Sequence, residues 1–145
     1  MVRLAIGRQV TWDKVNALMD KVVAAGRKPQ LLAGHDHKVK GFRLEDDKAR
    51  GVDRVISIIA YIDGKACVQP PGAIEAKCVQ SGDRRQIDRA FLRELVREQV
   101  KKFDIQVVEI ELAGGLAFAD VVRTIDAART CCYETAVSVR LKPGG

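Results

Sequence analysis

The chain has 145 residues, 47% hydrophobic and 30% charged, with a net charge of +6, enough to bury a core as one domain or two small ones. No window reaches the roughly 18 consecutive apolar residues of a membrane-spanning helix, and the first five residues begin a strand rather than a charged leader with an apolar run. The charge is uneven: residues 1–50 hold 11 Lys and Arg against 6 Asp and Glu, a net +5, and the other 95 hold 14 against 13, a net +1.

In chain order, residues 2–6 alternate as a half-buried strand does, and Gly7 makes the turn that follows. Thr11 stands as the N-cap of a helix with Asp13 in its first turn, where the helix dipole favours an anion. Trp12, Val15, Leu18, Met19, Val22 and Val23 mark the face expected to be buried, and Gly26 supplies the left-handed residue that ends the helix. Pro29 blocks continuation, and residues 30–33 form the return strand. Residues 34–50 lose apolar periodicity and read as a charged linker with a short extended piece around 39–44. His35 and His37 flank Asp36 there, but they are the only histidines, so a solvated loop is expected rather than a metal site.

Residues 52–62 form a strongly apolar strand, and Asp63-Gly64 joins it as a hairpin to a second strand at 65–69. Pro70-Pro71-Gly72 makes another turn, after which residues 73–79 extend the ribbon. Ser81 or Asp83 is placed to cap a helix over residues 84–103. Ile87, Phe91, Leu92, Leu95, Val96, Val100 and Phe103 lie on one side of it, and Arg89, Arg93, Arg97, Glu94 and Glu98 on the other. The interleaved acids make that arginine row a salt-bridged face rather than a phosphate grip. Asp104 ends the helix, and residues 107–141 then read as strand, glycine turn, amphipathic helix and strand. A unit of this length makes a parallel βαβ unit with a right-handed crossover.

This last unit repeats the first. At a constant offset, Val2, Leu4 and Ile6 lie over Val108, Ile110 and Leu112, Trp12 over Phe118, Val15 over Val121, Met19 over Ile125 and Asp20 over Asp126. Leu31 and Ala33 then fall on Val137 and Val139, so the chain reads as one and a half copies of one module.

Of the four cysteines, Cys67 and Cys78 are eleven apart across the Pro-Pro-Gly turn, and a hairpin brings them face to face in an oxidising compartment; otherwise they are small apolar fillers. Cys131 and Cys132 are adjacent and are not expected to pair with each other, and no CxxC spacing supports a zinc site. A thiol at a helix C-terminus has its pKa raised, and Gly114-Gly115 lacks the GxGxxG or GKS/T context of a phosphate loop. No enzyme activity, cofactor or metal is therefore expected.

The order from residue 52 onward resembles the periplasmic domain of the ExbD/TolR biopolymer-transport family. The resemblance rests on Asp63-Gly64-Lys65 after the apolar strand, Leu92 with Leu95-Val96 on the long helix, residues 107–112, and Phe118 with Val121-Val122 and Ile125-Asp126-Ala127 on the closing helix. Two features depart from it: the family's N-terminal transmembrane helix with its aspartate has no counterpart here, and Cys131-Cys132 stands where the family has Ala-Gly. The resemblance implies a non-enzymatic accessory domain of an inner-membrane energy-transducing complex on the periplasmic face. It also implies a homodimer in contact with an integral-membrane partner of the motor complex or with peptidoglycan. Without a signal or membrane segment in the sequence, a cytoplasmic location stays open. Dimerisation is expected through a sheet edge, with Thr135, Val137, Val139 and Leu141 of the terminal strand as interaction residues. The alternative is nucleic-acid or anionic-surface binding through the basic first third, although no stacking signature accompanies the cations. The expected fold is α+β, a small mixed sheet with helices packed on one face, in the order βαβ then ββαβαβ. Its parts are a half-module (1–34), a charged linker (35–51) and the family-like domain (52–142).

Overall fold

The computed structural model describes residues 2–35, 38–43, 55–72, 74–80, 85–132 and 137–141. Among these the elements are β1 (Val2–Ala5), α1 (Trp12–Ala24), β2 (Pro29–His35), β3 (Lys38–Arg43), β4 (Val55–Ala60), β5 (Lys65–Gln69), β6 (Lys77–Gln80), α2 (Arg89–Phe103), β7 (Val107–Leu112), α3 (Phe118–Thr130) and β8 (Ser138–Leu141). The fold is α+β, and the strands divide between two sheets, ordered β1-β2-β3 and β6-β5-β4-β7-β8. The pairs β1–β2, β4–β7 and β7–β8 are parallel, and the hairpin neighbours are antiparallel.

Alternation along β4 sets the centre of the larger sheet. Ile56, Ile58 and Ala60 are fully buried while Val55, Ser57 and Ile59 are half-exposed, so one face of the strand meets the helices and the other does not. Ile56 and Ile58 stand opposite Val108 and Ile110 of β7. Leu92, Val96 and Val100 of α2 join the same core as Val121 and Ile125 of α3. Burying side chains of this size contributes about 1.5–3 kcal/mol each. The opposite face carries a polar row beside apolar Val55, Ile59 and Val107: Glu109 lies between Ser57 and Arg140, and Arg140 Nε and Nη2 both reach Glu109 Oε2 at 2.9 Å.

The Asp63-Gly64 turn forms as expected, both residues adopting the left-handed conformation that a tight hairpin requires, with φ of 71° and 79°. Cys67 and Cys78 are direct cross-strand partners on β5 and β6 and form a disulfide. Replacing both by alanine is expected to lower the unfolding free energy by about 2–3 kcal/mol, because the bond closes a short loop in the unfolded chain. Urea denaturation of the oxidised parent and the double variant checks this, with no difference counting against it.

Three expectations need correction. The long helix starts at Arg89, not residue 84, because Asp88 is its cap: the Asp88 carboxylate accepts the Phe91 N–H at 3.1 Å. Ser81 and Asp83 lie outside the described residues. Phe91 is 68% exposed instead of buried, since the buried stripe of α2 runs through Leu92, Val96, Gln99 and Val100, one residue round the helix. Leu18 and Val23 of α1 are likewise exposed, because α1 buries only the narrower stripe Trp12, Val15 and Met19.

Cys131 and Cys132 are joined to each other, contrary to expectation. Consecutive side chains on a helix diverge by about 100°, which disfavours pairing; here the helix stops at Thr130 and Cys132 is no longer helical, so that divergence is relieved. Residues 36–37, 44–54 and 133–136 lie outside the described residues. So do the expected interaction residue Thr135, Asp36 and His37 of the histidine loop, and the start of the strand expected at 52.

Candidate interaction surfaces

The repeat inferred from periodicity is carried by the backbone. Shifted by 106 residues, the bounds of α1 coincide with those of α3, and each helix follows the first strand of a parallel βαβ unit. The two units meet where their helices begin. Thr11 and Ala117, the same position in each copy, form an antiparallel bridge. Around it the Trp12 N–H donates to the Leu116 carbonyl and the Phe118 N–H to the Val10 carbonyl, both at 2.8 Å. The Asp13 N–H donates to the Gly114 carbonyl at 2.9 Å and the Ala119 N–H to the Arg8 carbonyl at 3.0 Å. These four bonds are two pairs exchanged by the 106-residue shift, the signature of a two-fold relation. The Gly114-Gly115 turn thus docks one unit on the other.

The copies diverge after their helices. The first ends in a Schellman motif: Gly26 has φ of 75°, its N–H donates to Val23 and the Arg27 N–H to Val22. The second has Cys131, in right-handed helical geometry, at the place of Ala25, and Cys132, without a positive φ, at the place of Gly26. The return strands therefore differ in register. Leu4 pairs with Leu31 and its counterpart Ile110 with Leu141, so Leu31 matches Leu141 and not Val137. The longer connection after α3 absorbs the four-residue difference.

Thr11 does not cap α1 with its side chain. Its hydroxyl donates instead to Asp13 Oδ1, which also accepts the Lys14 N–H. The Thr11 hydrogen bond is the main reason the Asp13 carboxyl is held below its ordinary 3.8. A carboxylate depressed on folding adds stability above its unfolded pKa and loses that share as pH falls through the folded value. Titration of the Asp13 carboxyl by NMR is expected to show a midpoint below 3.8, moved upward in Thr11→Val; a midpoint that ignores the substitution would contradict this.

Polar groups, of which the sequence analysis named only Arg89 and Asp126, fix α3 to the start of α2. Asp120 is 7% exposed, accepts the Ile87 N–H at 3.0 Å and pairs with Arg123 at 2.7 Å. Arg89 Nη1 lies 2.9 Å from Asp126 Oδ2, so this member of the arginine row is held by α3. Gln99, only 1% exposed, has an Nε2 with no hydrogen-bond partner among the described residues. A carboxylate at the first turn of an amphipathic helix signals a dipole partner in sequence, but not which amide it will accept.

The expected interaction strand is β8, the end strand of the larger sheet. Val137, Val139 and Leu141 are half-buried and pack against the core, so what β8 offers outward is its backbone edge. The smaller sheet has β1 at one end and β3 at the other. Among the described residues no His, Cys, Asp or Glu side chains group as a metal-binding set, and no helix is long and apolar enough to cross a membrane.

These features define an α+β protein built from two docked βαβ units. No protein-family model and no curated protein matches the chain.

Proposed function

We propose that the chain is a non-enzymatic interaction domain that extends its larger sheet through β8. The observation that carries this reading is the difference between the two repeats. The outer edge of β2 is covered by antiparallel β3, whereas the matching edge of β8 has no strand beside it among the described residues. An edge strand of this kind supplies main-chain hydrogen bonds to an incoming strand without needing a pocket. The repeat also supplies the polarity: β8 takes an antiparallel neighbour, as β2 does. Two β8 strands paired this way obey a two-fold axis, so a homodimer is the simplest occupant. The resemblance of residues 52–142 to the ExbD/TolR soluble domain takes the reading further. In it the dimer is an accessory part of an inner-membrane energy-transducing transport complex, touching its membrane partner or the cell-wall polymer at the periplasmic face.

Light scattering combined with hydrogen exchange tests the edge. Raising the protein concentration is expected to double the mass and to slow amide exchange at residues 137–141. A monomer whose exchange there is independent of concentration defeats the self-pairing. Loss of a pull-down with the membrane partner on adding a β8-sequence peptide would favour a heterologous strand instead.

A further inference from the structure

The joint between the repeats has a different surface and a different meaning. An isologous interface between two identical subunits places residue i on j and j on i about an axis where one position meets itself. The contacts of Thr11, Trp12 and Asp13 with Ala117, Leu116 and Gly114, and the reciprocal contacts of Phe118 and Ala119 with Val10 and Arg8, have this form within one chain. The apolar contributions match as well: Trp12, Val15 and Met19 from one copy, and Phe118, Val121 and Ile125 from the other, are all buried in one core.

We infer that the first βαβ unit occupies, within the chain, the seat of a second copy of the last unit, and that the beginning of α3 is a self-association surface covered in cis. Its occupant when uncovered is the same surface of another copy of this chain. Replacing Val10, Trp12, Val15 and Met19 across the axis by Leu116, Phe118, Val121 and Ile125 exchanges one apolar set for another of similar bulk, the kind of change a core tolerates. Around the axis the last unit presents Gly114 and Ala119 where the first has Arg8 and Asp13, so two last units meet there without any charged side chain at these positions. Asp120 does not interfere, being held by Ile87 and Arg123.

The test uses the full chain with Trp12→Asp and Val15→Asp, which eject α1 and leave the α3 surface intact, combined with Ala117→Cys. The expected result is a doubled mass by light scattering and, under mild oxidation, a disulfide joining 117 of one chain to 117 of another, located by peptide mass mapping. The same cysteine in an otherwise unaltered chain is expected to give no such link, because Thr11 covers it. A variant that keeps its helix signal but stays monomeric, or dimerises without the 117–117 link, overturns the inference. If the double aspartate variant loses its helix signal, the decision passes to the Ala117→Cys chain held at high concentration in urea below its unfolding transition. There 117–117 dimers accumulate if the surface pairs with itself, and their absence overturns the inference. Unchanged exchange at residues 137–141 in the linked dimer separates this surface from the β8 edge.

Discussion

Trp12→Ala is expected to lower the free energy of unfolding by about 3–5 kcal/mol, the range for deleting a large aromatic side chain from a packed core. Trp12 is 7% exposed and belongs to one continuous apolar cluster with Leu116, Phe118 and the strands of the larger sheet. Its loss leaves a void at the joint rather than at the rim, and the four backbone bonds around the axis hold the walls apart. Because the cluster is continuous, unfolding of the variant followed by far-ultraviolet circular dichroism in urea should remain a single transition at lower denaturant. Two separated transitions would mean that the first βαβ unit is a satellite with its own stability, and a change under 1 kcal/mol would mean that the joint relaxes around the gap.

Asp120→Ala is expected to cost about 3–4 kcal/mol, the sum of a lost charge-assisted hydrogen bond and an amide left buried without an acceptor. The carboxylate serves two groups at once, the Ile87 N–H at 3.0 Å and the Arg123 guanidinium at 2.7 Å, and Ile87 is itself 2% exposed. Asp120→Asn keeps an acceptor for the amide and loses only the charge, so about half the effect should remain. Chemical denaturation gives the two values, and faster exchange of the Ile87 amide in the alanine variant alone locates the cause. Equal losses in the two variants would show that the Arg123 pair, not the amide, carries the effect.

Local chemistry made much of the fold legible. The period-two runs of β4 and β7, the Asp-Gly turn between β4 and β5, the Gly26 terminus of α1 and the apolar stripe of α3 each depend on a few adjacent residues, and each forms where those residues stand. The βαβ repeat could be read from matched spacing with few identical letters, because burial constrains which positions are apolar more tightly than which apolar residue occupies them.

Each misplacement has its own physical cause. Phe91, Leu18 and Val23 are apolar at roughly helical spacing, yet they are exposed because the width of a buried stripe depends on which neighbours flank the helix. The start of α2 moved to Asp88 because a cap is decided by geometry at one amide, and several polar residues upstream were chemically eligible. The alignment of Leu31 with Val137 failed because a connection of different length shifts a strand's register without altering its alternation.

By itself the amino-acid order fixed most of the elements, the repeated unit and the α+β class, since those follow from propensity, turn chemistry and the periodic placement of apolar residues; β3 stands in the stretch expected as a charged linker. The division into two sheets, the reciprocal docking of the two units about Thr11 and Ala117, the bonding of Cys131 to Cys132 and the place of β8 at the end of its sheet among the described residues were decided only in three dimensions. Each depends on groups distant in sequence, or on the path of the backbone between elements, and no periodicity within a single segment encodes either.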